Sequence, residues 1–357
     1  MKNHIAAATL PSLLSPRPGL FTLLILLALL MAAAPASAQH CQPMLADKRF
    51  TLVIPYGPGG GNDAYGRVFA AQFEVLTGSV MRIRNLPGAG TMIGINAVAE
   101  ADSSDLVLGL FNLTGLLNDR ILGRDSPEMS SLALLGSLYT DRTVWVTRAD
   151  NPVDFDSAEL RVFAQAGNTD FTRILLPGIA LGWDIRVIRG YSGSSEGLFA
   201  LLRRDVDYFY SGSTSLANQI RSLEGLEPLL SLTDEPNPLF PGVAHLAGAG
   251  GKLEELLNGL SAQQQQERRK ISALVVELAK TYRAISVSAK ADPALVTCLG
   301  QIVEAAAFSD GLRTAAEKQN LMVEPISGAD LQAEIRRTEA LIDSNWNFLQ
   351  EMVARSR

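Results

Sequence analysis

Along this chain, short apolar runs bounded by proline, glycine or aspartate alternate with stretches whose apolar residues recur at helical spacing. Strand-like runs fall at Phe50–Pro55, Val80–Arg84, Leu106–Phe111, Val144–Arg148, Arg161–Ala166, Asp184–Arg189, Asp207–Ser211 and Pro228–Thr233. Helical patterns at Ala64–Leu76, Met92–Ala101, Thr169–Gly178 and Ser195–Arg204 lie between them. Strands alternating with helices predict an α/β fold with mainly parallel sheets. From Gly248 the texture changes to helices: one or two over Lys252–Arg283, including the Gln263–Gln266 run, then Ala294–Phe308 and Asp310–Gln319. A last helix opens at Ser327–Asp330, a capping box. Its apolar stripe, Leu331, Ile335, Leu341, Ile342, Trp346, Leu349 and Met352, is that of a helix packed on the body of the protein.

Two of the strand-to-helix turns are nearly bare backbone. FTLVIPYGPGGGND, at Phe50–Asp63, and MRIRNLPGAGTMIG, at Met81–Gly94, each break into Pro and Gly before a helix. Glycine lets the main chain approach a ligand closely. The first amides of a helix lack internal partners and carry the positive end of its dipole, so such turns are anion seats. Gly59, Gly60, Gly61 and Asn62 form the first seat, and Gly88, Ala89, Gly90 and Thr91 the second. The first loop has no P-loop lysine and no third glycine of GxGxxG, which argues against nucleotides. Two later turns, Phe163–Thr172 and Arg189–Gly197, bring Asn168, Thr169, Tyr191, Ser192, Gly193 and Ser194 to helix starts. All four turns fall at carboxyl ends of strands, where open α/β sheets bind ligands.

Composition adds the compartment. Lys2 and Arg17, the apolar run Leu20–Ala34 and Ala36-Ser37-Ala38 read as a secretory leader cleaved near Ala38, and no later segment is long and apolar enough to span a membrane. The chain has a formal charge of −6 and is 47% hydrophobic. Removing a leader that holds basic residues only leaves a more acidic product, unlike a nucleic-acid binder. Cys41 and Cys298 are the only cysteines, and in an exported protein they are candidates for one long-range disulfide. No recognised metal-ligand set or cofactor motif is present.

The loops Pro55–Asp63 and Asn85–Gly94 resemble those of the Bug family of periplasmic solute-binding proteins, the receptors of tripartite tricarboxylate transporters. The resemblance extends through Leu134–Gly136, Asn151-Pro152, Gly190–Ser194, Val206–Tyr210, Leu230–Thr233, Ala291–Pro293 and Met322–Ile326. It implies a two-lobed type II periplasmic-binding fold with an interlobe cleft: residues 1–38 a signal peptide, 39–145 the first part of lobe one, 146–232 lobe two, and 233–357 the return to lobe one with C-terminal helices. It also implies that main-chain amides of the two glycine loops hold a ligand carboxylate, with Asn112, Thr114 and Ser211 joining the residues named above. The implied product is a periplasmic monomer that closes on a small organic acid without a cofactor and docks on a permease. A sensor docking on a membrane signalling protein is the alternative. The chain departs from the family pattern at Gly57, Asn62 and Ser192, where a second proline, threonine and lysine are usual; at Ser103–Leu108 and Pro238–Gly250; and in a helical insertion, Lys252–Tyr282.

A serine hydrolase is the rival reading. Gly193–Gly197 matches G-x-S-x-G between a strand and a helix, with Ser195 as nucleophile. Its base would have to be His245, which the sequence places in a Gly/Ala-rich segment and which reads better as a surface or loop histidine.

Overall fold

The structure is a computed structural model that describes Cys41 and residues 43–357; the leader, its cleavage site and His40 lie outside the described residues. The chain begins with β1 (Arg49–Ile54), α1 (Gly61–Thr77), β2 (Val80–Asn85), α2 (Met92–Ala99), β3 (Val107–Phe111) and α3 (Thr114–Leu122). It then runs through β4 (Leu132–Asp141), β5 (Thr143–Arg148) and β6 (Leu160–Ala166). A π-helical turn over Phe171–Leu175 leads into α4 (Leu176–Leu181), followed by β7 (Asp184–Tyr191), α5 (Ser194–Leu202), β8 (Phe209–Gly212), α6 (Ser213–Ile220), β9 (Leu226–Ser231) and β10 (Ala244–His245). The remainder comprises α7 (Lys252–Leu256), α8 (Ala262–Leu278), β11 (Thr281–Ser288), α9 (Pro293–Ala307), α10 (Asp310–Glu317), β12 (Ile326–Ser327), α11 (Gly328–Ser344) and α12 (Trp346–Arg355).

Two sheets with the same plan form two lobes. The first has the order β12-β4-β11-β3-β1-β2, with β2, β1 and β3 parallel and β11 antiparallel between β3 and β4. In the second, β10-β9-β5-β8 is joined to the pair β6-β7 by a parallel bridge between Phe163 and Tyr208. There β7, β6 and β8 repeat the parallel triplet, and β5 is the antiparallel strand between β8 and β9. Each lobe's antiparallel strand follows a crossing from the other lobe. The crossings run through Arg142, between β4 and β5, and through Lys280, just before β11.

Both sheets are covered on both faces, as parallel sheets require. Period-two alternation divides β1 accordingly. Phe50, Leu52 and Ile54 face the core shared with α1 and α9, and Val53 faces the one shared with α2 and α11. In the second lobe Trp145 points into one core while Val144 and Val146 point into the other. The C-terminal stripe breaks at Asn345, between α11 and α12. Its first half, Leu331 and Ile335, joins the first lobe; Ile342, Leu349 and Met352 join the second, making a third link between the lobes. Ser327 caps α11 through the Asp330 amide.

Four features differ from the sequence expectation. Leu132–Asp141 is a strand that the pattern did not predict, and Thr281–Ser288 is a strand rather than the end of a helix. All eight residues of the latter are buried, with small polar side chains alternating among apolar ones, which blurs its period. The return to the first sheet falls at Thr281 rather than near 233, because β10 pairs with β9 and α8 packs on α4 in the second lobe. His245 is a buried strand residue within reach of the Ala249 carbonyl, not a surface histidine. The sulfurs of Cys41 and Cys298 are bridged, with their Cα atoms 5.4 Å apart.

Candidate functional site

The carboxyl ends of β1, β3, β6 and β8 converge where the lobes meet, at the topological switch points of the two sheets. Direct contacts close the seam: the Gly57 amide donates to the Ser192 carbonyl at 3.0 Å, and Ser195 Oγ donates to the Gly59 carbonyl at 3.2 Å. Deeper in, Thr91 Oγ1 donates to Asn168 Oδ1 at 3.1 Å. Gly90 sits at φ 64°, and a Cβ there would lie 3.2 Å from the Gly167 carbonyl, so only glycine makes this approach without strain. The contact divides the cleft into an inner chamber of about 70 Å³ and an outer one of about 510 Å³.

The two glycine loops therefore face different chambers. Gly60, Gly61 and Asn62, at the start of α1, line the inner one, with Asn112, Thr169, Gly193, Ser194 and Ser211. Gly88, Ala89, Gly90 and Thr91 line the outer one, with Tyr191 and Ser192. Asn168 borders both. Gly59 lines neither chamber; it is exposed at the seam, its amide donating to Asp63 Oδ2 at 3.0 Å. Burial alone would raise the Asp63 carboxyl, but hydrogen bonds from Arg67, Gly59 and Asn85 hold it below its ordinary range. Thr114 also lines neither chamber but is buried beside the inner one, accepting from Asn112 Nδ2 at 2.6 Å.

Two arginines that the sequence reading missed dominate the inner chamber. Arg283, on β11, pairs with Asp141 at 3.1 Å and also donates to Asn62 and Ser215. Asp141 in turn caps α6, accepting from Ser213 Oγ and the Thr214 amide. Both ends of this ion pair are buried. Arg173 sits in the π turn, a local widening of the helix that often marks functional positions. Its carbonyl is fixed by Trp145 Nε1 at 2.7 Å, and its guanidinium donates to the Lys280 carbonyl at 2.8 Å and to Thr114 Oγ1 at 3.2 Å. Arg173 is only 5% exposed, and among the described residues no carboxylate pairs with it. Burial pulls its pKa down. Arg173 Nε, Arg283 Nε and the Thr281 hydroxyl are buried without a partner. Tyr210 completes the wall; burial pushes its phenol up to about 12. Each arginine stands alone in an apolar run, FTRILL and TYRAISV, and a charge in such a run is the available signal.

The outer chamber has a different balance. Asp170 accepts from Arg124 at 2.6 and 2.9 Å and from Arg189 at 2.7 and 3.0 Å. Burial works against its charge, but the two guanidiniums outweigh it and hold the carboxyl low. Asp119, held by Asn168 Nδ2 at 2.7 Å, is raised by burial.

Ser195 shows no hydrolase geometry. Its hydroxyl donates to Gly59 and lies 3.4 Å from Gln219 Nε2, and His245 belongs to β10, two strands beyond β5.

No protein-family model matches the chain. A UPF0065 protein of Bordetella pertussis is 26% identical over 239 residues, covering 63% of this chain and 72% of that protein. A UPF0065 protein from the tcbD-tcbE intergenic region of a Pseudomonas species is 26% identical over 276 residues, covering 72% and 80%. Among solved structures, the periplasmic binding protein BugD superposes with a TM-score of 0.66 at 16% identity, over 87% of this chain and 98% of its own. The chain shares the fold of BugD. Rhodopseudomonas palustris MatC with bound malate shares it at a TM-score of 0.64 and 18% identity, over 86% of this chain and 99% of its own. A second R. palustris protein, with adipate, does so at 0.63 and 17%, over 86% and 97%. Within that shared fold, Arg173 and Arg283 are the charged side chains that this chain brings to its inner chamber.

Proposed function

We propose that this protein is a periplasmic receptor that captures a small carboxylate between its lobes and presents it to a tripartite tricarboxylate-type permease. The observation that carries the reading is Arg173, a buried guanidinium in the interlobe chamber without a carboxylate of its own. An uncompensated buried charge is costly, and a carboxylate ligand removes that cost while accepting charge-assisted, geometrically matched hydrogen bonds. The unpartnered amides at the start of α1 add favourable dipole at the same place.

Three further points support it. The leader directs export, the fold is that of periplasmic binding proteins, and MatC and its R. palustris counterpart carry malate and adipate in that fold. Closure is a hinge motion about the crossings at Arg142 and Lys280, favoured by contacts that exist only when the lobes meet around the ligand. The test is a thermal-shift screen of the exported protein, stripped of ligand by unfolding and refolding with its disulfide intact, against small carboxylates. A ligand bound only by the folded state raises the melting temperature by mass action. We expect a saturable rise with at least one carboxylate; a folded protein indifferent to the whole panel overturns the proposal.

A further inference from the structure

The charges around the two chambers narrow the ligand class. The inner chamber is lined by Arg173 and Arg283, and no aspartate or glutamate lines it. Arg283 is already neutralised by Asp141. One positive charge remains open, on Arg173, with room for one carboxylate. A second carboxylate has no cation to meet in the inner chamber. Outward, the next cations are Arg124 and Arg189, and both are engaged with Asp170. Asp119, which is buried, and Asp125 also line the outer chamber, so a carboxylate reaching through the Thr91–Asn168 contact would meet three acids and two arginines already taken. An ammonium group fares no better inside, because it would face two guanidiniums with no anion on the wall.

Size points the same way. The inner chamber, about 70 Å³, is far smaller than the outer one of about 510 Å³, so a ligand held there is compact. Lactate and pyruvate are smaller than malate and adipate and suit it better. The chamber's remaining polar atoms are hydrogen-bonding groups without charge. The Thr281 hydroxyl, buried and unpartnered, is suited to a hydroxyl or carbonyl oxygen beside the carboxylate.

We infer that the inner chamber takes a compact monocarboxylate, a hydroxy or oxo acid, with its one carboxylate on Arg173 and an uncharged remainder. This rests on the receptor reading above and deepens it. Charge and size are separated by comparing ligands of nearly equal bulk: lactate against alanine, which replaces the hydroxyl with an ammonium, and against malonate, which adds a second carboxylate.

Calorimetric titration of the ligand-stripped protein with pyruvate, lactate, glycolate, alanine, malonate, malate and adipate tests it. Pyruvate or lactate is expected to bind at least tenfold tighter than alanine or any dicarboxylate. A dicarboxylate or alanine that equals or exceeds them overturns this inference and leaves the receptor reading intact. Silence from every acid here also overturns this inference, while silence across the wider thermal-shift panel overturns the receptor reading itself. Arg173→Gln is expected to weaken lactate at least a hundredfold, and Arg173→Lys, which keeps the charge but not the fork, to retain part of the affinity. Wild-type affinity in a folded Arg173→Gln protein places the carboxylate elsewhere and overturns the assignment.

Discussion

At the scale of single residues, Arg173 is held at a cost to the ligand-free protein. Its hydrogen-bond acceptors do not depend on it: the Lys280 carbonyl also accepts from Thr114 Oγ1, which itself accepts from Asn112. Replacing the guanidinium by a side chain of similar length and no charge removes a desolvation penalty and leaves no orphaned carboxylate, a change that is often neutral or stabilising by about 1–4 kcal/mol in buried ion clusters. Arg173→Met is therefore expected to raise the melting temperature of the ligand-free protein while eliminating the ligand-induced shift. Opposite signs on stability and binding distinguish a ligand anchor from a structural strut. A ligand-free melt that falls by several degrees would identify the arginine as a strut. Arg173 was visible in FTRILL as a lone charge among apolar residues, but a single arginine on a helix usually reaches along the surface to water. Only the π turn and the packing of Trp145 on its carbonyl turn it inward.

Between elements, α1 of the first lobe and α6 of the second meet N-terminus to N-terminus beside the Asp141–Arg283 pair. Gly61 is what permits the approach, because a Cβ there would lie 1.9 Å from Ser215 Oγ and 3.2 Å from the Arg283 guanidinium. The severe clash, with Ser215, exists only when the lobes are together, since Gly61 and Ser215 lie on different lobes; the milder contact with Arg283, on β11 of the same lobe as Gly61, is met by a shift of the end of its side chain. Gly61→Ala is therefore expected to leave the ligand-free melt within a few degrees of wild type and to weaken ligand binding at least tenfold. Equal affinity in this variant would mean that the helices do not approach in the bound state. The strands that lead to the cleft, β1, β2, β3 and β6, were legible because apolar or β-branched runs end in Pro, Gly or Asn. β4 and β11 were not, because central strands covered on both faces lose the alternation that identifies a half-buried strand. Their Ser, Thr and Gly positions, such as the fully buried Ser286, mimic the texture of a loop or a helix end. The glycine loops were read as ligand-facing turns, but one sequence cannot show that a contact at Gly90 and Asn168 would put them in separate chambers.

For the molecule as a whole, the question is which parts must stay rigid while the lobes move. The Cys41–Cys298 bridge closes a sequence separation of 257 residues, spanning the second lobe and both crossings. Yet both of its ends lie in one place: Cys41 and Leu45 pack into the first-lobe core with Cys298, Leu299 and Ile302 of α9. The bridge thus staples the segment around Cys41 to the body of one lobe and does not restrain the hinge. Long closed loops are where a disulfide constrains the unfolded chain most, and removing a native one costs about 2–5 kcal/mol. In the double variant Cys41→Ala, Cys298→Ala, the melting temperature should drop by several degrees, measured under oxidising conditions for both proteins. Affinity for the ligand should stay within about threefold, because neither cysteine lines either chamber. The two readouts separate cleanly, since a staple within one lobe stabilises the open and closed forms equally and so cancels from their difference. A variant that lost affinity in proportion to its stability would instead mean that the first lobe's α1 end shifts when the N-terminal segment is released. The hinge would then have to include the segment that the bridge holds.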